Sequence, residues 1–183
     1  PVAERPQVEE LLKELNCFPV FLEEEVLRSH YYGFCKKVLW PVLHSSVNIF
    51  SSDNIFANRP LMDAYFYSYS LVNDTIARAV EQLHKEDEII WIQGYQLMLT
   101  PSYLSRKLKT PTHVGIFFHT PFPSSDVFRI LPWRDSFLHS LLSVNHLGFH
   151  LYEYLRHFAN AVRRLLGVQL QTGERGQMFF DYK

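Results

Sequence analysis

Polar residues collect at one kind of place in this chain. His119 follows the apolar run "THVGIFF" (112–118), and His150 follows "VNHLGF" (144–149). The pair Gln93–Gly94, with Gln96 just beyond, follows "EIIWI" (88–92). Each run reads as a short buried strand, and α/β folds place their ligands at the carboxyl ends of such strands. A zinc centre built on His119 and His150 would need tighter convergence and a nearby acid, and the sequence offers neither. Nucleophilic hydrolysis would need a G-x-S-x-G elbow, which is absent, as are G-x-G-x-x-G and G-x-x-x-x-G-K-[ST]. The loop 93–96 carries two amides and a glycine where a catalytic loop would carry ionisable groups. After His119, "TPFP" forms a rigid turn. "SSD" (124–126) is then placed to cap a helix and leave its N–H groups open to an anion.

The elements that would position these residues alternate. "CFPVFL" (17–22) is a strand candidate, and three glutamates then open a helix through "VLRSHYYGFCKKVLW" that breaks at Pro41. A Ser- and Asn-rich loop follows, then a long helix from Leu61 to His84 with Ala64, Tyr67, Leu71, Ile76, Val80 and Leu83 at helical spacing. From there strand and helix alternate: "EIIWI" and "YQLMLTPSYLSRKL", then "THVGIFFH" with "SSDVFRIL" and "WRDSFLHSLLS", then "VNHLGFH" and "LYEYLRHFANAVRRLLG", ended by Gly167. Continuous apolar strands joined by helical crossovers predict an α/β fold, a doubly wound parallel sheet flanked by helices on both faces.

Composition bounds the rest. At 183 residues, 47% hydrophobic and 20% charged, one folded domain spanning 1–183 is expected. A net charge of −1, with no basic run longer than two, argues against a nucleic-acid surface or an anionic-membrane anchor. No apolar stretch reaches bilayer length and no signal peptide opens the chain. Cys17 and Cys35 lack metal-ligand spacing and read as reduced thiols of a cytosolic protein. With Pro at position 1 and "GQMFFDYK" reading as a strand cut short, the chain is expected to be a fragment. On the residues alone, a histidine at a strand end such as His119 is more often a satisfied structural residue than a catalyst. Residue types and spacing therefore end at a parallel α/β domain with a polar cleft.

Four longer strings carry more. "YYGFCKKVLWPVLH" (31–44), "WIQGYQLMLTPSYL" (91–104), "VGIFFHTPFPSSDVFRILPWR" (114–134) and "LGFHLYEYLRHF" (147–158), in this order, closely resemble the trehalose-6-phosphate synthases. Those are retaining glycosyltransferases of two Rossmann-like domains (GT-B), and the likeness runs from about Phe18 to Gly167. It implies the N-terminal, acceptor half of such a protein, without the glycine-rich loop near the donor and without the C-terminal domain that supplies most UDP-glucose contacts.

By the same resemblance, Tyr31 and Trp40 occupy the acceptor-pocket positions and His119 the position beside the donor glucose. The family reads W-[IV]-H-D-Y-H-L-M where this chain reads "WIQGYQLM". Gln93 and Gln96 stand for the two histidines and Gly94 for the aspartate that contacts the acceptor sugar. Tyr32 and Lys36 stand where the family has asparagines. Several polar losses around one pocket imply a domain without catalytic residues or cofactor, with a regulatory or structural role in trehalose metabolism. Such a domain would sit in a larger polypeptide or complex with synthase or phosphatase domains. Two alternatives are an active glycosyltransferase of altered acceptor preference, which would take UDP-glucose and glucose 6-phosphate, and an assembly subunit of an unrelated complex.

Overall fold

A computed structural model describes residues 4–48, 50–51, 54–108, 112–173 and 178–180. The chain opens with α1 (Arg5–Lys13), an element outside those expected from the sequence. Pro6 stands in its first turn, where the missing N–H costs nothing, and the helix buries none of its residues. Residues 17–22, expected as a strand, run as irregular chain. Pro19 lacks the N–H that a ladder needs and Phe18 is exposed. The parallel sheet pairs its own three strands in the order β1-β2-β3 and leaves this segment out.

Glu24 and Glu25 open α2 (Glu24–Arg28), as the acidic run predicts. The helix then widens to i→i+5 pairing over Ser29–Leu39 and tightens again in α3 (Trp40–Leu43). The expected break at Pro41 does not occur. Pro41 falls in the first turn of α3, and the chain leaves the helix only at Ser45, whose φ of 52° is left-handed. After a short turn (Ile55–Ala57), α4 runs over Arg59–Leu83. The Asn58 side chain caps it by accepting the Leu61 N–H at 3.1 Å. Its buried stripe, Met62, Tyr69, Val72, Asn73 and Ala77, faces the widened helix and α5 (Thr100–Lys107).

β1 (Ile90–Gln93), β2 (Val114–Phe118) and β3 (His146–Phe149) form the expected parallel sheet. Ile92 stands opposite Ile116, and Phe118 opposite Phe149. Its two faces are unequally covered. Ile92, Val114, Ile116 and Phe118 belong to the main core with Phe34, Tyr69 and Phe137, whereas Trp91, on the other face, is 49% exposed. α6 is shorter than expected (Ser125–Phe128), followed by α7 (Arg134–Leu142) and α8 (Tyr152–Ala161). A second widened stretch, Val162–Leu166, extends α8 and stops at Gly167, whose φ of 71° supplies the left-handed terminus that position was expected to provide. Beyond it, β4 (Leu170–Thr172) pairs antiparallel with β5 (Met178–Phe180), the described part of the expected terminal strand. Gly176, Gln177 and Asp181–Lys183 lie outside the described residues.

Candidate functional site

The loop from Gln93 to Thr100 is set by α4. Tyr69 and Asn73 lie one turn apart on its buried stripe and both are fully buried. The Tyr69 hydroxyl donates to the Tyr95 carbonyl at 2.7 Å and accepts the Met98 N–H at 3.0 Å. Asn73 Oδ1 accepts the N–H groups of Leu99 and Thr100 and the Thr100 hydroxyl, each at 3.0 Å. Its Nδ2 donates to Gln96 O at 3.1 Å and to Tyr69 O at 2.9 Å. His30, from the widened helix, approaches the same Gln96 carbonyl at 3.2 Å and stacks on Tyr69 at 5.3 Å. None of these three residues stood out in the sequence. The available signal was a tyrosine and an asparagine at i, i+4 spacing on the face of a long helix that should have been apolar.

Two side-chain clusters meet this loop. At the strand ends, Gln93 Oε1 lies 2.7 Å from His119 Nε2 and accepts its proton in that tautomer. The His119 ring contacts His150 at 5.5 Å, and both contact Phe117, at 4.9 and 5.0 Å. The structure thus brings together the strand-end residues singled out in the sequence, and Gln93 supplies the neutral partner of His119. No group of three or more His, Cys, Asp or Glu side chains among the described residues could hold a metal ion.

The second cluster is aromatic and cationic. Trp40 is 38% exposed, so it is not a core residue. His44 stacks on it at 3.8 Å, and Lys36 Nζ lies 4.3 Å from its ring and 5.4 Å from that of Tyr31. Tyr95 approaches Trp40 from the loop, with ring centroids 6.0 Å apart. Burial pushes the Tyr95 phenol upward, and its hydroxyl has no hydrogen-bond partner. The neighbouring Cys35 thiol is pushed up to about 12, also by burial, and is an inert core group.

Gly94 lies between the clusters. Its φ of 79° with ψ of 172° belongs to a region open essentially to glycine alone. Its N–H donates to Phe117 O at 2.9 Å, which ties the loop to β2. A Cβ at Gly94 would meet Gln96 Oε1 at 2.5 Å. The amide of Gln96 therefore occupies the space into which a side chain at position 94 would start. Further on, "SSD" does not behave as expected. Ser124 makes no side-chain cap, and Arg164 enters instead, donating to Ser125 Oγ at 3.1 Å and approaching Asp126 at 3.4 Å.

The sequence pattern of glycosyltransferase family 20 matches residues 2–182. The chain belongs to glycosyltransferase family 20. It is 38% identical over 174 residues to the probable alpha,alpha-trehalose-phosphate synthase (UDP-forming) 8 of Arabidopsis thaliana, across 95% of this chain and 20% of that protein. It is also 38% identical over 182 residues to the alpha,alpha-trehalose-phosphate synthase (UDP-forming) of Pichia angusta, across 97% of this chain and 36% of that one. The chain thus spans a minor part of the curated relatives it matches.

Among solved structures, the synthase of Burkholderia xenovorans in complex with glucose-6-phosphate superposes with a TM-score of 0.75 at 26% identity, covering 87% of this chain and 33% of that one. The N-terminal domain of the Candida albicans trehalose-6-phosphate phosphatase superposes with a TM-score of 0.78 at 26% identity, covering 98% and 38%. The fold is that of the Rossmann-like N-terminal half of these GT-B proteins.

The clamp makes two predictions. Asn73→Ala strands the Leu99 and Thr100 N–H groups in the interior, and is expected to lower stability by about 3 kcal/mol, read from urea unfolding. His30 is buried, which holds its pKa below the usual histidine value despite its contact with Gln96. As pH falls below about 6.5, the unfolded chain takes up this proton and the folded one does not, so stability declines until the lower folded value is passed. Replacing His30 by Gln is expected to flatten that decline, by at most about 1.4 kcal/mol per pH unit, in thermal unfolding between pH 7 and 5.

Proposed function

We propose that this chain is the acceptor half of a trehalose-6-phosphate synthase-like protein in which glucose transfer has lapsed, and that it serves a regulatory or structural role in trehalose metabolism. The observation that carries this reading is the loop at Gly94. An acceptor hydroxyl needs a carboxylate or another strong acceptor there, a contact worth about 1.5–3 kcal/mol. Gly94 supplies none, its backbone excludes most replacements, and the Gln96 amide fills the adjacent space. His119 is engaged by the neutral Gln93, and Trp40 is flanked by Lys36 and His44. The superposition on the N-terminal domain of a trehalose-6-phosphate phosphatase supports a domain of this kind within a larger polypeptide. Its free thiols, Cys17 and Cys35, fit a cytoplasmic location, and no helix among the described residues is long and apolar enough to cross a membrane.

One observation favours a second reading. Trp40 remains partly accessible with a cation over its ring, an arrangement that would suit a different acceptor bearing an anionic group. Activity separates the two. The full-length protein, given UDP-glucose and glucose 6-phosphate, is expected to form no trehalose 6-phosphate above background. Product formation there would refute the lapsed-transfer reading, and transfer to another sugar phosphate would establish the second.

Restoring Gln93→His, Gly94→Asp and Gln96→His together is expected to tighten glucose 6-phosphate binding by no more than about tenfold in calorimetry. The backbone strain of Asp at this φ, about 1–3 kcal/mol, offsets most of the restored contact. Wild-type affinity equal to that of a gain-free triple variant, and already tight, would mean that the carboxylate was never needed.

A further inference from the structure

Away from the strand-end loop, three arginines line one concavity. A cavity of about 380 Å³ is lined by Ser125, Asp126, Arg129, Arg134, Arg164 and Leu165. The arginines come from three segments: Arg129 closes α6, Arg134 opens α7, and Arg164 lies in the widened end of α8. Their charges are incompletely met. Arg164 reaches Asp126 only at 3.4 Å, and Arg134 Nε is 3.6 Å from Asp135, against about 2.7–2.9 Å for a close charged hydrogen bond. Among the described residues, Arg134 Nε is buried with no hydrogen-bond acceptor, and its Nη1 donates to the Arg129 carbonyl at 3.4 Å. The Arg129 side chain makes no hydrogen bond or ion pair among the described residues.

With three arginines and one carboxylate, Asp126, around one space, positive charge is in excess there, and a bound anion would balance it. A buried N–H without an acceptor calls for the same solution. The ligand that fits is tetrahedral and multiply oxygenated, because planar guanidinium forks engage such oxygens in pairs. We propose that this cavity binds a phosphate group, as inorganic phosphate or as the phosphate end of a small monoester, held by Arg129, Arg134 and Arg164 with Ser125 Oγ beside them. The volume leaves room for more than a bare ion, since a water molecule takes only about 30 Å³. The site shares no residue with the Gly94 loop or the Trp40 cluster and does not depend on the reading of function given above.

Calorimetric titration of the full-length protein with inorganic phosphate, and separately with glycerol phosphate, at constant ionic strength in chloride, tests the site. Saturable binding is expected for at least one of them. Arg129→Ala is expected to weaken it at least tenfold, the loss of one charged hydrogen bond. Arg129→Lys is expected to fall between, because lysine keeps the charge and loses the fork. Since the Arg129 side chain holds no hydrogen bond or ion pair among the described residues, its loss is expected to leave thermal unfolding unchanged, which separates ligand binding from folding. Tighter binding of the monoester assigns the site to a phosphorylated metabolite, and equal binding assigns it to the ion. Absence of saturable binding by both, or equal binding by wild type and Arg129→Ala, overturns the proposal.

Discussion

The buried polar clamp from α4 to the loop after β1 is the interaction on which the rest of this structure depends. A backbone that turns from a strand into a helix inside the core leaves N–H and C=O groups that water cannot reach. Tyr69 and Asn73 meet those of Tyr95, Gln96, Met98, Leu99 and Thr100. An apolar pair on the same helix face would pack as well and leave these groups stranded. The clamp therefore holds the long helix, the sheet and α5 in one register. It also fixes where Gly94 and Gln96 stand, so the candidate site inherits its geometry from residues that touch no ligand position.

On that scaffold the loop meets its own polar groups: Gly94 passes its N–H to Phe117, and Gln93 faces His119. An amide oxygen accepts an imidazole N–H well, so the Gln93–His119 pair is satisfied within the fold. Around Trp40 the chain itself supplies ring partners, Lys36 on one count and His44 on another. These are self-satisfied arrangements. They hold the strand ends together through side chains that the chain itself supplies, which fits the non-catalytic role proposed above.

Some expectations failed for reasons visible in single residues. The apolar segment 17–22 has strand composition, yet Pro19 removes a ladder donor and the three-stranded sheet forms without it. Pro41 reads as a helix breaker, yet it lies where the helix changes pitch and no intrahelical N–H is required. "SSD" reads as a capped helix start open to anions. Ser124 makes no side-chain cap there, and Arg164, thirty-eight residues from Asp126, donates to Ser125 and Asp126 beside it.

What the sequence determined by itself was the order of strands and helices from the long helix to Gly167, the parallel sheet, the Gly167 terminus and the strand-end positions of Gln93, Gly94, His119 and His150. Those follow from apolar period, turn residues and local propensity, which act over a few residues and are written in the chain. Tertiary structure alone decided that Gln93 pairs with His119, that Gln96 fills the space beside Gly94, that Lys36 lies over Trp40, and that Asn73 holds the loop. Each of these contacts joins residues whose meeting depends on how helices cross the sheet and which rotamers the packed core allows, so no local pattern encodes it.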